Sequence, residues 1–276
     1  MQKMIELSNN RQNIKQFENT IIYGDSSEIL YKLPRKSVDL VITSPPYSDL
    51  RKYDGVGDTW NERKFNEIAV GLSDVLKDGG VIVWIVNDKT EKGSKTLTSF
   101  RQALYFQRLG FNINDVMVWE KTNYMPQISQ PRYSDCFEYM FIFSKGKPKT
   151  FNPIMIPCKC AGQVYNSTTK NMGGENGRTY KEFNINKEKV KPNIWRCAVS
   201  QNKTRHPAVF PEQLIIDHIL SWSNENDIVL DPFMGSGTTA LACIKTNRKF
   251  IGIELNEDYV NLAMERIEKS KTQNAM

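Results

Sequence analysis

Short apolar runs alternate with stretches in which apolar positions recur every three to four residues, and this alternation continues along most of the 276-residue chain. It predicts β-strands interleaved with amphipathic helices, and hence a mostly parallel sheet covered on both faces. Thr20-Ile21-Ile22-Tyr23 reads as the first strand, ending at Gly24-Asp25, with a short helix from Ser27 to Leu33 behind it. Val38 to Ile42 reads as the second. Phe65, Ile68, Ala69, Leu72, Val75 and Leu76 keep i, i+3, i+4, i+7 spacing, which predicts a helix stopped by Gly79-Gly80. A third strand, Val81 to Val86, follows at once, then a helix from about Thr98 to Leu109 closed by Gly110.

Two more apolar runs, Val116 to Trp119 and Phe137 to Phe143, flank a polar loop holding Tyr124, Pro126, Pro131 and Arg132. Antiparallel pairing there would be consistent with a sheet edge. From Lys145 to Arg205 the periodicity breaks down: Asn, Gly, Lys and Thr dominate and apolar residues stand singly. The segment is too long for an ordinary connection and reads as an irregular, functional insertion. Regularity resumes at Pro211, expected as the first residue of a helix with Leu214, Ile215, Ile219 and Trp222 on one face. Strand Ile228 to Leu230, helix Thr238 to Lys245, strand Phe250 to Ile253 and a last helix from Asp258 to about Lys269 complete the pattern.

Composition adds little to this picture, at 39% hydrophobic and 25% charged residues. No apolar stretch is long enough to span a bilayer, and Met1 to Glu6 lacks a secretory h-region. Five unevenly spaced cysteines favour a reducing compartment over a disulfide framework, so a cytoplasmic protein is expected. Cys158, Cys160, Cys197 and His206 lack the CxxC spacing of a zinc site, and no metal is expected.

Charge changes the picture more. Lys145 to Arg205 contains 13 Lys/Arg against 3 Glu and no Asp, whereas the rest of the chain holds 24 basic and 28 acidic residues. The whole positive excess lies in one segment, which points to a polyanionic partner.

Two stretches carry candidate chemistry. Thr43-Ser44-Pro45-Pro46-Tyr47 follows the second strand directly. Its prolines fix φ and donate no backbone N–H, so nearby carbonyls are left to accept hydrogen bonds from another group. A hydroxyl, free carbonyls and the aromatic face of Tyr47 suit a planar ring with an exocyclic amine, such as a nucleobase. The second stretch, Asp231-Pro232-Phe233-Met234-Gly235-Ser236-Gly237-Thr238, joins a strand to a helix. Glycines there let backbone and helix N-terminal amides approach a ligand. It matches neither a dinucleotide turn nor a triphosphate loop. Glu254, at the end of the following strand, can accept from both hydroxyls of a ribose. A nucleoside without pyrophosphate fits this set.

Together these stretches resemble the amino-group DNA methyltransferases that use S-adenosylmethionine. Asp231 to Thr238 looks like the cofactor loop of that family and Thr43 to Tyr47 like its catalytic motif. The catalytic motif comes first by almost the whole chain, a circular permutation that resembles the β subgroup. Arg205-His206-Pro207-Ala208-Val209-Phe210-Pro211 looks like the segment leading into the cofactor loop, and Gly24-Asp25 fits the position that contacts the adenine. The resemblance implies a Rossmann-like methyltransferase sheet made of a catalytic half (1–144) and a cofactor half (206–276), with 145–205 as the target-recognition insertion.

It also implies that Ser44, Pro45, Pro46 and Tyr47 hold a flipped base. Asp25, His206, Asp231, Pro232, Phe233, Gly235, Ser236, Gly237, Thr238, Glu254 and Asn256 would hold the cofactor. Family members acting on adenine usually carry Asp or Asn at the position of Ser44, and those acting on the N4 amine of cytosine usually carry Ser. Cytosine N4 is therefore the expected target, with adenine N6 the alternative. The implied partner is double-stranded DNA, with a restriction endonuclease and a second copy of the chain as further expected partners. A non-catalytic DNA-binding protein on the same fold is the competing class, and the intact catalytic turn argues against it.

Overall fold

The computed structural model describes residues 13–46, 60–126, 131–170, 178–199 and 210–274. Tyr47, His206 and most of the segment leading to Pro211 lie outside them. The chain divides into two compact units, 1–152 with 193–276, and Pro153–Pro192.

The larger unit is built on an eight-stranded sheet. In chain order its elements are β1 (Thr20–Tyr23), α1 (Ser26–Ile29), β2 (Val38–Thr43), α2 (Glu62–Val75) and β3 (Leu76–Val86). The two-residue strands β4 (Thr90–Glu91) and β5 (Ser94–Lys95) precede α3 (Thr98–Arg108), β6 (Asn112–Lys121) and β7 (Phe137–Ser144). The smaller unit contributes β8 (Met155–Pro157), β9 (Val164–Lys170), β10 (Arg178–Asn184) and β11 (Glu188–Val190). The larger unit then resumes with β12 (Ile194–Cys197), α4 (Glu212–Trp222), β13 (Ile228–Asp231), α5 (Thr238–Lys245), β14 (Lys249–Glu254) and α6 (Glu257–Asn274).

Strand order is β1-β14-β13-β2-β3-β7-β6-β12. The C-terminal β13 and β14 are inserted between the N-terminal β1 and β2, all four parallel. This closes the two halves on one another as the permuted pattern predicts. β7 is antiparallel to both β3 and β6, as expected from the two apolar runs flanking the polar loop. β2 is buried at all six positions, the signature of a parallel strand with both faces covered. One face packs Leu30, Ile68, Leu72 and Phe106 against Trp84, Phe141 and Phe143 in a single apolar cluster. Phe106 stacks on Phe143 at 4.6 Å and meets Phe65 and Trp84 edge-on. Each such fully buried side chain contributes roughly 1.5–3 kcal/mol. On the second face, α4 contacts β2 and α5 contacts β14.

Three expectations are corrected. Gly79-Gly80 does not stop α2, which ends at Val75 where Leu76 turns extended. Both glycines lie inside β3, and Gly79 has φ +77°, where a Cβ would stand 2.9 Å from Lys149 Cβ. Its N–H donates to Lys145 and its carbonyl accepts from Lys149, so glycine here serves a close backbone crossing. Pro211 is the N-cap of α4 and not its first residue: with ψ 121° its carbonyl accepts from Leu214 N–H. The described residues of 145–205 include five strands, β8 to β12, where the sequence shows no periodicity. Lys145 and Asn152 are hydrogen-bonded to Gly80 and Ser221, and β12 joins the main sheet parallel to β6.

The unit Pro153–Pro192 is an antiparallel two-stranded ribbon. β8 pairs with β11 and β9 with β10, and Cys158 N–H to Lys187 and Ile185 N–H to Gln163 bridge the bulged step between the pairs. None of its described side chains is buried, and Tyr165 and Phe183 face each other across the ribbon, both exposed. No helix among the described residues is long and apolar enough to cross a membrane.

Candidate active site

β2 and β13 are neighbours and parallel, so both candidate motifs leave the same, carboxyl edge of the sheet. β2 delivers Thr43 and then Ser44 and Pro46, each of the last two partly buried, around a buried Pro45. The Thr43 hydroxyl donates to Asp231 Oδ1 at 2.6 Å, a contact between residues 188 positions apart in sequence. Asp231 Oδ1 also accepts from Phe233 N–H at 3.0 Å and its Oδ2 from the Thr239 hydroxyl at 2.6 Å. Asp231 thus lies beneath the site as a buried tie between the two motifs, with both oxygens committed to protein donors.

The glycine loop is held from several sides. Met234 N–H bonds the Ile253 carbonyl at 2.9 Å, and Gly235 N–H bonds Glu254 Oε2 at 2.7 Å. Ser26 Oγ, in α1, donates to the Pro232 carbonyl. Arg266, in α6, reaches Ser236 Oγ at 2.9 Å and the Ser236 carbonyl at 2.5 Å. Gly237 caps α5 at φ +82°, and a Cβ there would lie 2.8 Å from Ala263 Cβ. Phe233 is wedged edge-on against Trp60 at 5.3 Å and Trp84 at 6.4 Å. The loop is therefore preorganised, with the N-terminus of α5 directly behind it.

Glu254 ends β14 beside this loop. Besides Gly235, it accepts from Asn256 N–H at 2.9 Å. Asn256 Oδ1 in turn accepts from Asp258 and Tyr259 N–H, so Asn256 orients Glu254 and opens α6. Asp25 caps α1 through Ser27 N–H at 2.9 Å and pairs with Lys64 at 2.8 Å. Gly24 N–H donates to the Glu254 carbonyl, which places Asp25 beside the end of β14.

Burial sets the electrostatics. It raises Asp231 above the ordinary carboxylate range despite the bonds from Thr239, Thr43 and Phe233. It raises Glu254 too, against the amides of Asn256, Gly235 and Leu255, and the nearby Asp231 adds to the rise. Burial also opposes a charge on Asp25, but bonds from Lys64 and Ser27 outweigh it and hold that carboxyl below its ordinary value.

Asp25, Asp231 to Thr238, Glu254 and Asn256 are thus brought together with Ser44 to Pro46, whereas Tyr47 and His206 lie outside the described residues. Thr43, Thr239, Lys64 and Arg266 were not anticipated. Thr43 stands inside the motif, but nothing in its spacing points to a partner on a distant strand. Of the aromatic residues near the polar loop, Trp119 is buried and donates its indole N–H to the Cys197 carbonyl at 3.0 Å, and Tyr124 is exposed.

The residues present fit S-adenosylmethionine: a carboxylate at the end of β14 for the ribose and, bonded to it through Gly235, a preorganised glycine turn that matches no triphosphate loop. Residues 38–265 match the model of the N6/N4 methyltransferase family, described as DNA methylase. The orphan methyltransferase M.BamHII of Bacillus amyloliquefaciens is 49% identical over 84% of this chain and 89% of its own length. The DNA adenine methyltransferase YhdJ of Escherichia coli is 31% identical over 90% of this chain and 82% of its own. The solved structure of M1.HpyAVI in complex with SAM aligns with a TM-score of 0.59 at 26% identity, covering 90% of this chain and 98% of that one. The protein belongs to the N6/N4 DNA methylase family, as an S-adenosylmethionine-dependent enzyme that methylates exocyclic amino groups of DNA bases.

Proposed function

We propose that the protein methylates the N4 amine of a cytosine flipped out of duplex DNA. Ser44 carries this choice, because members of the family that act on the N4 amine of cytosine usually carry Ser at this position and those that act on adenine Asp or Asn; its hydroxyl can accept from the amine of the base. In this proposal Ser44 Oγ and the Pro45 carbonyl accept hydrogen bonds from the amine and aim its lone pair at the methyl group. Tyr47 stacks on the flipped ring. S-adenosylmethionine supplies a methyl group already activated by its sulfonium, so the chain's own contribution is positioning and exclusion of water. Glu254 would hold the ribose, Asp25 the adenine end, and the amides from Gly235 to Thr238 the rest of the cofactor.

Segments 1–144 and 206–276 would act as catalytic and cofactor halves, and 145–205 would recognise the target. The ribbon in that segment supports the last assignment, because a two-stranded ribbon is narrow enough to enter the major groove. Adenine N6 is the second reading, favoured by the relationship to an adenine methyltransferase. The name of M.BamHII, an orphan enzyme, favours a solitary methyltransferase over one paired with an endonuclease.

Nucleoside mass spectrometry of DNA from cells expressing the protein tests the choice. N4-methylcytosine is expected, and Ser44→Ala should lower it on the order of a hundredfold through lost positioning. N6-methyladenine in its place would transfer the assignment to the second reading.

A further inference from the structure

We propose that Thr43 is a positioning residue that locks the catalytic turn to the cofactor loop, so that a correctly seated loop and a correctly seated turn are one event. The inference rests on the assignment of Ser44 and Pro45 to the target amine. The cofactor loop and the catalytic turn sit on adjacent strands, yet the backbone ladder between β2 and β13 ends at Val41 and Leu230. Beyond that point the 2.6 Å bond from the Thr43 hydroxyl to Asp231 Oδ1 joins the two strands. It lies one residue before Ser44 and at the first residue of the loop, where both chains leave the sheet.

The bond is well placed to transmit geometry. Thr43 is fully buried and Asp231 is 3% exposed, so water does not compete for either partner. Asp231 Oδ1 is shared with Phe233 N–H, and Oδ2 is held by Thr239 at the start of α5. The carboxylate is therefore fixed on the cofactor side by two donors, and Thr43 supplies the third from the catalytic side. Rotation or sliding of the turn would break this bond and leave a buried carboxylate oxygen short of a donor. In-line transfer tolerates little such movement, since a displacement of about 1 Å in a reacting group costs on the order of a hundredfold in rate.

A graded series separates positioning from support of the fold: Thr43→Ser keeps the hydroxyl, Thr43→Cys keeps a weak donor, and Thr43→Val keeps the shape with no donor. Single-turnover methylation, S-adenosylmethionine affinity and melting temperature are measured on each. The expected order of rate constants is Thr, Ser, Cys, Val, with Val reduced roughly 10- to 100-fold per cofactor-binding molecule and cofactor affinity within about threefold of wild type. Thr43→Ser should recover most of the rate even if its melting temperature stays low. A Val variant with the wild-type rate per folded molecule would overturn the proposal, leaving Thr43 a stability residue. Affinity and rate falling by the same factor would also overturn it, because Asp231 would then serve the loop alone. Failure of the underlying site assignment has a different signature, a wild-type rate in Ser44→Ala.

Discussion

In the proposed site Glu254 would have to be ionised to accept from both ribose hydroxyls, yet burial favours its protonated form. Cofactor affinity should therefore weaken on acidification at a higher pH than an ordinary carboxylate would require. In the ligand-free protein the linkage has the opposite sign. A raised value in the folded state contributes stability that is present below the ordinary carboxylate range and is lost as pH rises through the raised value. Titrating S-adenosylmethionine by calorimetry across this range, with Glu254→Gln as comparison, checks the first statement, and melting temperatures of the ligand-free proteins over the same range check the second. The variant should bind weakly at every pH and show a flatter profile; a profile as steep as wild type would assign the titration to another group. Glu254 was legible in the sequence because a strand end followed by an acidic residue is a local pattern. Asp231 stood out in the sequence as a candidate, but its partners did not: Thr43 and Thr239 become its neighbours only once the strands pair and the loop folds back on α5.

At the level of elements, helix α6 does more than cover the sheet. Arg266 places its guanidinium on Ser236 and, at 3.4 Å, on the Thr238 hydroxyl, so the last helix fixes the glycine loop assigned to the cofactor. Replacing Arg266 with Met keeps most of the packing stem and removes the donors. Bonds from a charged donor contribute about 1.5–3 kcal/mol, so cofactor affinity should fall roughly tenfold or more. Equilibrium binding of S-adenosylmethionine measures this, and an unchanged affinity would show that the loop holds its shape without α6. The helices themselves were legible because their apolar faces keep a 3.6-residue period, as Leu214, Ile215, Ile219 and Trp222 do. Elements without such a period were missed. β12 has four residues and its exposed first position is the apolar Ile194, so its alternating burial does not show as a polar–apolar pattern in the sequence. Gly79-Gly80 misled because glycine ends helices and bends strands for the same reason, freedom at positive φ.

For the whole molecule, the permuted order of motifs was enough to expect the C-terminal strands beside the N-terminal ones, because a doubly wound sheet leaves few other ways to join two such halves; their place between β1 and β2 emerges only from the strand pairing. The basic segment was legible as charge and not as shape. The ribbon strands bury none of their described side chains, so no alternation between buried and exposed positions was there to read. That same property now gives the segment a physical meaning. A two-stranded ribbon that buries so little gains little from its own packing, and described side chains such as Lys187 and Lys189 are exposed on it. Lys187, Lys189 and Lys191 lie at alternate positions along and beside β11, and alternate residues of an extended strand project to one side. Three cations on one side of a ribbon form a row suited to a phosphate backbone. Replacing all three with Gln should weaken DNA binding in proportion to the number of phosphates they neutralise. Each neutralised phosphate adds about 0.9 to the slope of log affinity against log salt, so the slope should become shallower by up to about 2.7. Binding measured between low and moderate salt gives that slope directly, with S-adenosylmethionine affinity as the control for an intact larger unit. Weaker binding with an unchanged slope would mean that the lysines act through the ribbon's structure and not through phosphates. The proposed target-recognition role would then have to rest on the remaining basic residues of 145–205.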